Sequence, residues 1–148
     1  MHRQKVCALQ DVGRQYSWSI GVCIMELMIC VRKERYAICK LSSLPDLFKI
    51  AGFCSVSHTD KEISLVCKVE EVPETAYEVS KEWVMFEMMG KLDFEIVGLI
   101  AEISTALAKK DVPLFALSTF NTDYFLVKRE YMEKAIDALI TTGYPVVQ

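Results

Sequence analysis

From Glu82 onward the chain alternates two periodicities, and their order restricts the fold more than any other feature. "EWVMFEMMG" (82–90), "PLFALSTF" (113–120) and "YFLVKR" (124–129) are strand-like runs. Between them, "LDFEIVGLIAEISTALAKKDV" (92–112) sets Ile96, Leu99, Ile100, Ile103 and Leu107 at helical spacing. Asp93 suits the N-cap of that helix, and Lys109 and Lys110 suit its negative C-terminal end. "EYMEKAIDALITTGY" (130–144) is an amphipathic helix closed by Gly143, and "PVVQ" is a last short strand. The order β-α-β-β-α-β implies an α+β architecture, small antiparallel sheets backed by helices on one face.

The first half follows the same order in reduced form. "MICVRK" (28–33) and "RYAICKL" (35–41) read as strands, and "SSLPDLFKIAG" (42–52) as a short helix capped by Ser42 or Ser43 and stopped by Gly52. "FCSVSHT" (53–59) and "EISLVCKV" (62–69) read as strands around a turn at Thr59-Asp60-Lys61. "EEVPETAYEVS" (70–80) is polar, carries Pro73, and is the candidate connector between the halves. "SHTDKEISLV" (57–66) and "STFNTDYFLV" (118–127) each place Thr-Asp before a strand ending Leu-Val, a weak internal repeat in which Asp60 mirrors Asp123. The expected division is an extension over residues 1–24, a degenerate N-terminal unit over 25–72 and a C-terminal unit over 78–148.

Composition narrows the class. Of the 148 residues 52% are hydrophobic and 25% charged, enough apolar material for a packed core. A net charge of −3 gives no basic field for nucleic acid. The apolar stretch from Trp18 to Cys30 is too short and, with Glu26 inside it, too interrupted for a membrane span or a secretory signal. Met25 and Met28 both suit a start, so residues 1–24 are read as lying outside the fold. Six cysteines with no CxxC, and two histidines, match no zinc motif. They read as buried thiols of a reducing, cytoplasmic protein that needs no metal or cofactor.

The stretches "ERYAICKL", "FCSVSHTDKEISLVC" and "GKLDFEIVGLIAEISTALAKKDVPLFALSTFNTDYFLVKREYMEKAIDALITTGY" resemble the ACT domain family over residues 34–144. More closely, they resemble the stand-alone tandem-ACT proteins related to the CASTOR arginine sensors. The resemblance implies a ferredoxin-like βαββαβ fold in two tandem units, no catalysis, and a free amino acid bound at an interface between units. It also implies a homodimer formed through the ACT units and leaves room for a protein partner. It puts the binding loop at Gly90, Asp93 and Phe94, and the binding strand at Ser118, Thr119, Asn121 and Asp123.

Those residue types suit a zwitterion. A helix start offers unpaired N–H groups and a positive dipole end for a carboxylate. Gly90 allows close backbone approach, and Asp123 can accept from an ammonium group. Ser118, Thr119 and Asn121 supply neutral hydrogen bonds, with Phe94, Phe115 and Phe120 as walls. Asn121-Thr122-Asp123 also suits a plain turn, and the two roles are compatible. Gly98 within the helical run implies close packing by a strand or a ligand. The sequence has no GxxxxGK[ST] loop and no nucleophile beside a base, so no catalytic residue is expected. The competing reading is a ligand-free module for dimerisation or protein contact.

Overall fold

A computed structural model describes residues 27–90 and 97–148. The extension expected over residues 1–24 lies outside them, as do Asp93 and Phe94. The elements are β1 (Met28–Leu41), β2 (Ser55–His58), β3 (Ile63–Lys68), β4 (Ala76–Met89), α1 (Leu99–Ala108), β5 (Phe115–Ser118), β6 (Asp123–Lys128), α2 (Met132–Thr142) and β7 (Val146–Val147).

The strands form one sheet in the order β2-β3-β1-β4-β6-β5, with β7 parallel to the start of β1. The expected separate sheets are thus joined, because β1 and β4 each run through both halves. Residues 36–41 of β1 pair with β3, while Ile29 and Cys30 pair with β7. In β4 the end from Trp83 to Glu87 pairs with β6, and the start from Ala76 pairs only with β1. "EEVPETAYEVS" is therefore a connector only as far as Thr75; its apolar Tyr77 and Val79 alternate along a strand. The runs 28–33 and 35–41 are one strand whose register shifts between Val31 and Arg35. A second shift falls at Glu82, which takes φ 62, the left-handed conformation that bulges accommodate.

Two expected helices change. Residues 42–52 form only a single 3-10 turn over Leu47–Lys49, with the Asp46 side chain accepting from the Phe48 N–H. Leu44, Leu47 and Phe48 stay exposed, so no buried apolar face holds a longer helix together there. The helix expected over 92–112 begins at Leu99, and its N-cap is Gly98 at φ 88. Asp93 is therefore not its cap. No described residue lies within 4 Å of the position a Gly98 Cβ would take, and its φ of 88 is the left-handed conformation that glycine adopts freely.

Alternation along the strands sorts the core. Ile29, Val31, Val84, Phe86, Met88, Phe125 and Val127 face α1 and α2 through Leu99, Ile103, Leu107, Ala135 and Leu139. On that same face in the first half, Ala37, Cys39, Leu41, Leu65 and Cys67 are covered by loop residues such as Ile50, Cys54 and Val72. The opposite face buries Tyr36, Val66, Met85 and Leu126. It curls enough to bring Phe53, just before β2, to 4.9 Å ring-centroid distance from Tyr124 on β6.

Both helices end alike. Val112 N–H bonds to Leu107 O and Asp111 N–H to Ala108 O, as Tyr144 N–H does to Leu139 O and Gly143 N–H to Ile140 O. This is the Schellman arrangement, which needs a left-handed residue. Gly143 (φ 106) meets that need freely, and Asp111 (φ 55) meets it at a conformational cost. Asp111→Gly should raise stability in urea unfolding by about 0.5–1 kcal/mol, and Gly143→Ala should lower it by about 1 kcal/mol.

Burial also sets a pH limit. Desolvation pushes the Cys67 thiol from its ordinary 9.0 up to about 12, and the Tyr36 hydroxyl from 10.0 up to about 12. Both groups stay protonated in the fold after the unfolded chain has lost those protons. Stability is then fully present below pH 9 and declines as pH rises toward 12. Urea midpoints should fall across that window. Native-state alkylation at pH 8 should spare Cys39 and Cys67, both buried, and label them only on unfolding.

Candidate functional site at the β5–β6 hairpin

The polar loop between β5 and β6 has a defined geometry. Ser118 pairs with Asp123 as the last rung of the hairpin. Thr119 closes the turn twice on the Thr122 carbonyl, through its N–H at 2.9 Å and its hydroxyl at 3.0 Å. Across the rung, the Ser118 hydroxyl donates to Asp123 Oδ1 at 2.6 Å, which fixes the carboxylate. One hydrogen-bonded oxygen leaves Oδ2 as a further acceptor.

Strand register places Gly90, the one described residue of the expected loop, at the same end of the sheet as the expected strand. Glu87 on β4 lies opposite Tyr124 on β6. The next step places Asp123 level with the end of β4, two residues before Gly90. Gly90 is exposed at φ 122, so the chain turns there in a way most residues resist. Gly90 and the hexamer Ser118–Asp123 therefore share one end of the sheet. Asp93 and Phe94 lie outside the described residues. Phe115 is drawn elsewhere: it stacks edge-on with Trp83 at 6.5 Å on the curled face. Phe120 is 77% exposed at the loop tip. The helix start expected to hold an anion also differs, since Glu102 occupies the first turn of α1 and accepts a hydrogen bond from Tyr144 OH. A carboxylate there offsets the positive end of the helix.

The first-half hairpin separates scaffold from candidate ligand groups. Its last rung is His58–Ile63, and Thr59 closes its turn on Glu62 O as Thr119 does on Thr122 O. β3 and β6 share one burial pattern, and each leads into a 3-10 turn. The repeat thus aligns His58 with Ser118 and Ile63 with Asp123. That register is one residue off the Leu-Val alignment in the sequence, so Asp60 corresponds to Phe120 and does not mirror Asp123. Thr119 belongs to the shared turn. Ser118, Asn121 and Asp123 stand where the other hairpin has His58, Lys61 and Ile63.

Other groups take structural roles. Met85 and Met88 are buried in the core. His58 is an exposed rung residue. Cys30, Cys39, Cys54 and Cys67 are free thiols, and among the described residues no group of His, Cys, Asp and Glu is arranged to hold a metal. No helix among the described residues is long and apolar enough to cross a membrane. The sequence reading missed the aromatic face of Tyr36, Phe53, Trp83 and Tyr124, whose members lie far apart in the chain. Period-two alternation could have assigned their parity, but not their meeting.

Residues 78–141 match the ACT domain family, and residues 34–75 match the N-terminal domain of a second family. A crystal structure of an Agobacterium tumefaciens protein is 27% identical with a TM-score of 0.74, covering 82% of this chain and 92% of that one. The regulatory subunit of aspartate kinase from Thermus thermophilus is 11% identical with a TM-score of 0.55, covering 78% and 96%. Clostridium acetobutylicum aspartate kinase is 13% identical with a TM-score of 0.61; 77% of this chain matches 34% of that enzyme. The last two likenesses are of fold.

If Thr119 is scaffold and Asp123 is not, their substitutions should separate. Thr119→Ala should cost about 1 kcal/mol in urea unfolding by removing the side-chain bond of the turn. Asp123→Asn, at a rung that tolerates isoleucine in the twin hairpin, should change stability by less than about 0.5 kcal/mol.

Proposed function

We propose that this chain is a regulatory module without catalytic activity that binds a free amino acid at the Gly90 end of its sheet. The observation that carries the reading is the Ser118–Asp123 rung, a fixed carboxylate within the ACT-matching segment where the twin hairpin has apolar Ile63. Asp123 Oδ2 would accept from the ligand ammonium, Asn121 would add a neutral bond, and backbone N–H groups near Gly90 would take the carboxylate. The aspartate kinase regulatory subunits among the structural neighbours support a regulatory role. The two similar hairpins support the tandem ACT reading and its CASTOR-like relatives. Free thiols at Cys30, Cys39, Cys54 and Cys67 accord with the cytoplasm.

The test is a thermal-shift screen of the twenty amino acids on the full chain and on Asp123→Ala. A ligand at about 100 times its Kd should stabilise the fold by about 2.7 kcal/mol. The shift should disappear in the variant. A folded protein that responds to none of the twenty would end this reading.

A further inference from the structure

We propose that Cys54 and Cys67 are a reversible oxidation site, in which hydrogen peroxide converts the two thiols into an intramolecular disulfide. Strand register places them together. β2 and β3 pair from His58–Ile63 to Ser55–Val66. The next rung sets Cys54 directly opposite Cys67. Opposed residues of an antiparallel ladder lie about 4.5–5.5 Å apart at Cα, inside the range of about 4.4–6.8 Å that a disulfide spans. Both side chains share one face of the sheet. Cys67 is fully buried in the first-half core, and Cys54 packs against that core.

Cys39 is the third thiol of this core, and the register keeps it out of the bond. It lies opposite Leu65, two residues along β3 from Cys67, which itself lies opposite Ala37. Such a diagonal neighbour is about 7–8 Å away at Cα, too far to bridge without moving backbone. Cys30 is partly exposed too, but it faces Glu87 and Val147 across its strands and has no thiol opposite it.

Exposure divides the roles. Cys54 is partly exposed, within reach of a small oxidant, and its thiolate attacks a peroxide oxygen. The O–O bond breaks, Cys54 becomes a sulfenic acid, and the other oxygen takes up the Cys54 proton and leaves as water. Cys67 is shielded from peroxide. Desolvation, helped by the Cys39 and Glu71 side chains, holds its thiol up at about 12. It therefore acts second. Its sulfur attacks the Cys54 sulfur, the S–O bond breaks, and the hydroxyl takes up the Cys67 proton and leaves as water. Two thiols and one peroxide give one disulfide and two waters. The bond ties the segment carrying Phe53, which packs on Tyr124, to β3 in the half of the sheet covered only by loops. It does not depend on amino-acid binding.

Non-reducing peptide mapping of the full chain, before and after hydrogen peroxide, tests this. Trypsin cuts after Lys49, Lys61 and Lys68, so the two thiols fall in separate peptides, 50–61 and 62–68. Oxidation should join these peptides within a single chain, as a non-reducing gel reports, and dithiothreitol should part them. The short closed loop should raise Tm by about 5–10 °C. Cys54→Ser should abolish the link and Cys39→Ala should retain it. In Cys67→Ala, dimedone should trap a sulfenic acid at Cys54. Peptides that stay separate, a link that runs to Cys39 or to a second chain, or a link that survives Cys54→Ser would each overturn the inference.

Discussion

β1 and β4 hydrogen-bond to each other from Met28–Met89 at one end to Leu41–Ala76 at the other, and every other element is placed by that ladder. β3 joins β1 over one half of its length, and β6 joins β4 over the opposite half. Fourteen residues is long for a strand, and a flat pair of that length could not serve two cores. The register shifts between Val31 and Arg35 and at Glu82 resolve the conflict by adding local twist. Beyond them the sheet curls until Phe53 meets Tyr124, closing the face opposite the helices with aromatic rings.

Unequal coverage of the other face follows from what the loops contain. In the second half the connections after β4 and β6 supply amphipathic helices, and the core there includes Phe86, Ile103, Leu107 and Leu139. In the first half they supply short 3-10 turns, and the buried set shrinks to Ala37, Cys39, Leu41, Leu65 and Cys67. A thin layer buries less apolar area and so contributes less stability. Glu71 strengthens it by holding the Ala51–Gly52 backbone, a charged group bonding neutral donors.

The two hairpins show how one turn supports different chemistry. Thr59 and Thr119 satisfy the same carbonyl position, so the backbone needs nothing further from the rung before it. The rung is then open to His58–Ile63 in one hairpin and to the hydrogen-bonded Ser118–Asp123 in the other. A polar rung at the open end of a sheet can serve recognition because its loss costs the fold little.

By itself the sequence determined the local elements of the second half. Period-two runs and the 3.6-residue stripe of Ile103 and Leu107 are local signals, and they carried the α+β order and the stop at Gly143. It also marked Ser118–Asp123 as a polar hairpin. Tertiary structure alone decided the rest. Whether residues 42–52 coil into a helix, and whether 70–80 stay a loop, depends on a long-range ladder that a local pattern cannot see. The alignment of the repeat depended on rung pairing, where a one-residue slip from the Leu-Val match moves the counterpart of Asp123 from Glu62 to Ile63 and that of Asp60 from Asn121 to Phe120. That Gly90 and Asp123 lie at the same end of the sheet likewise came from β4 lying beside β6, a neighbourhood fixed by packing between segments distant in the chain.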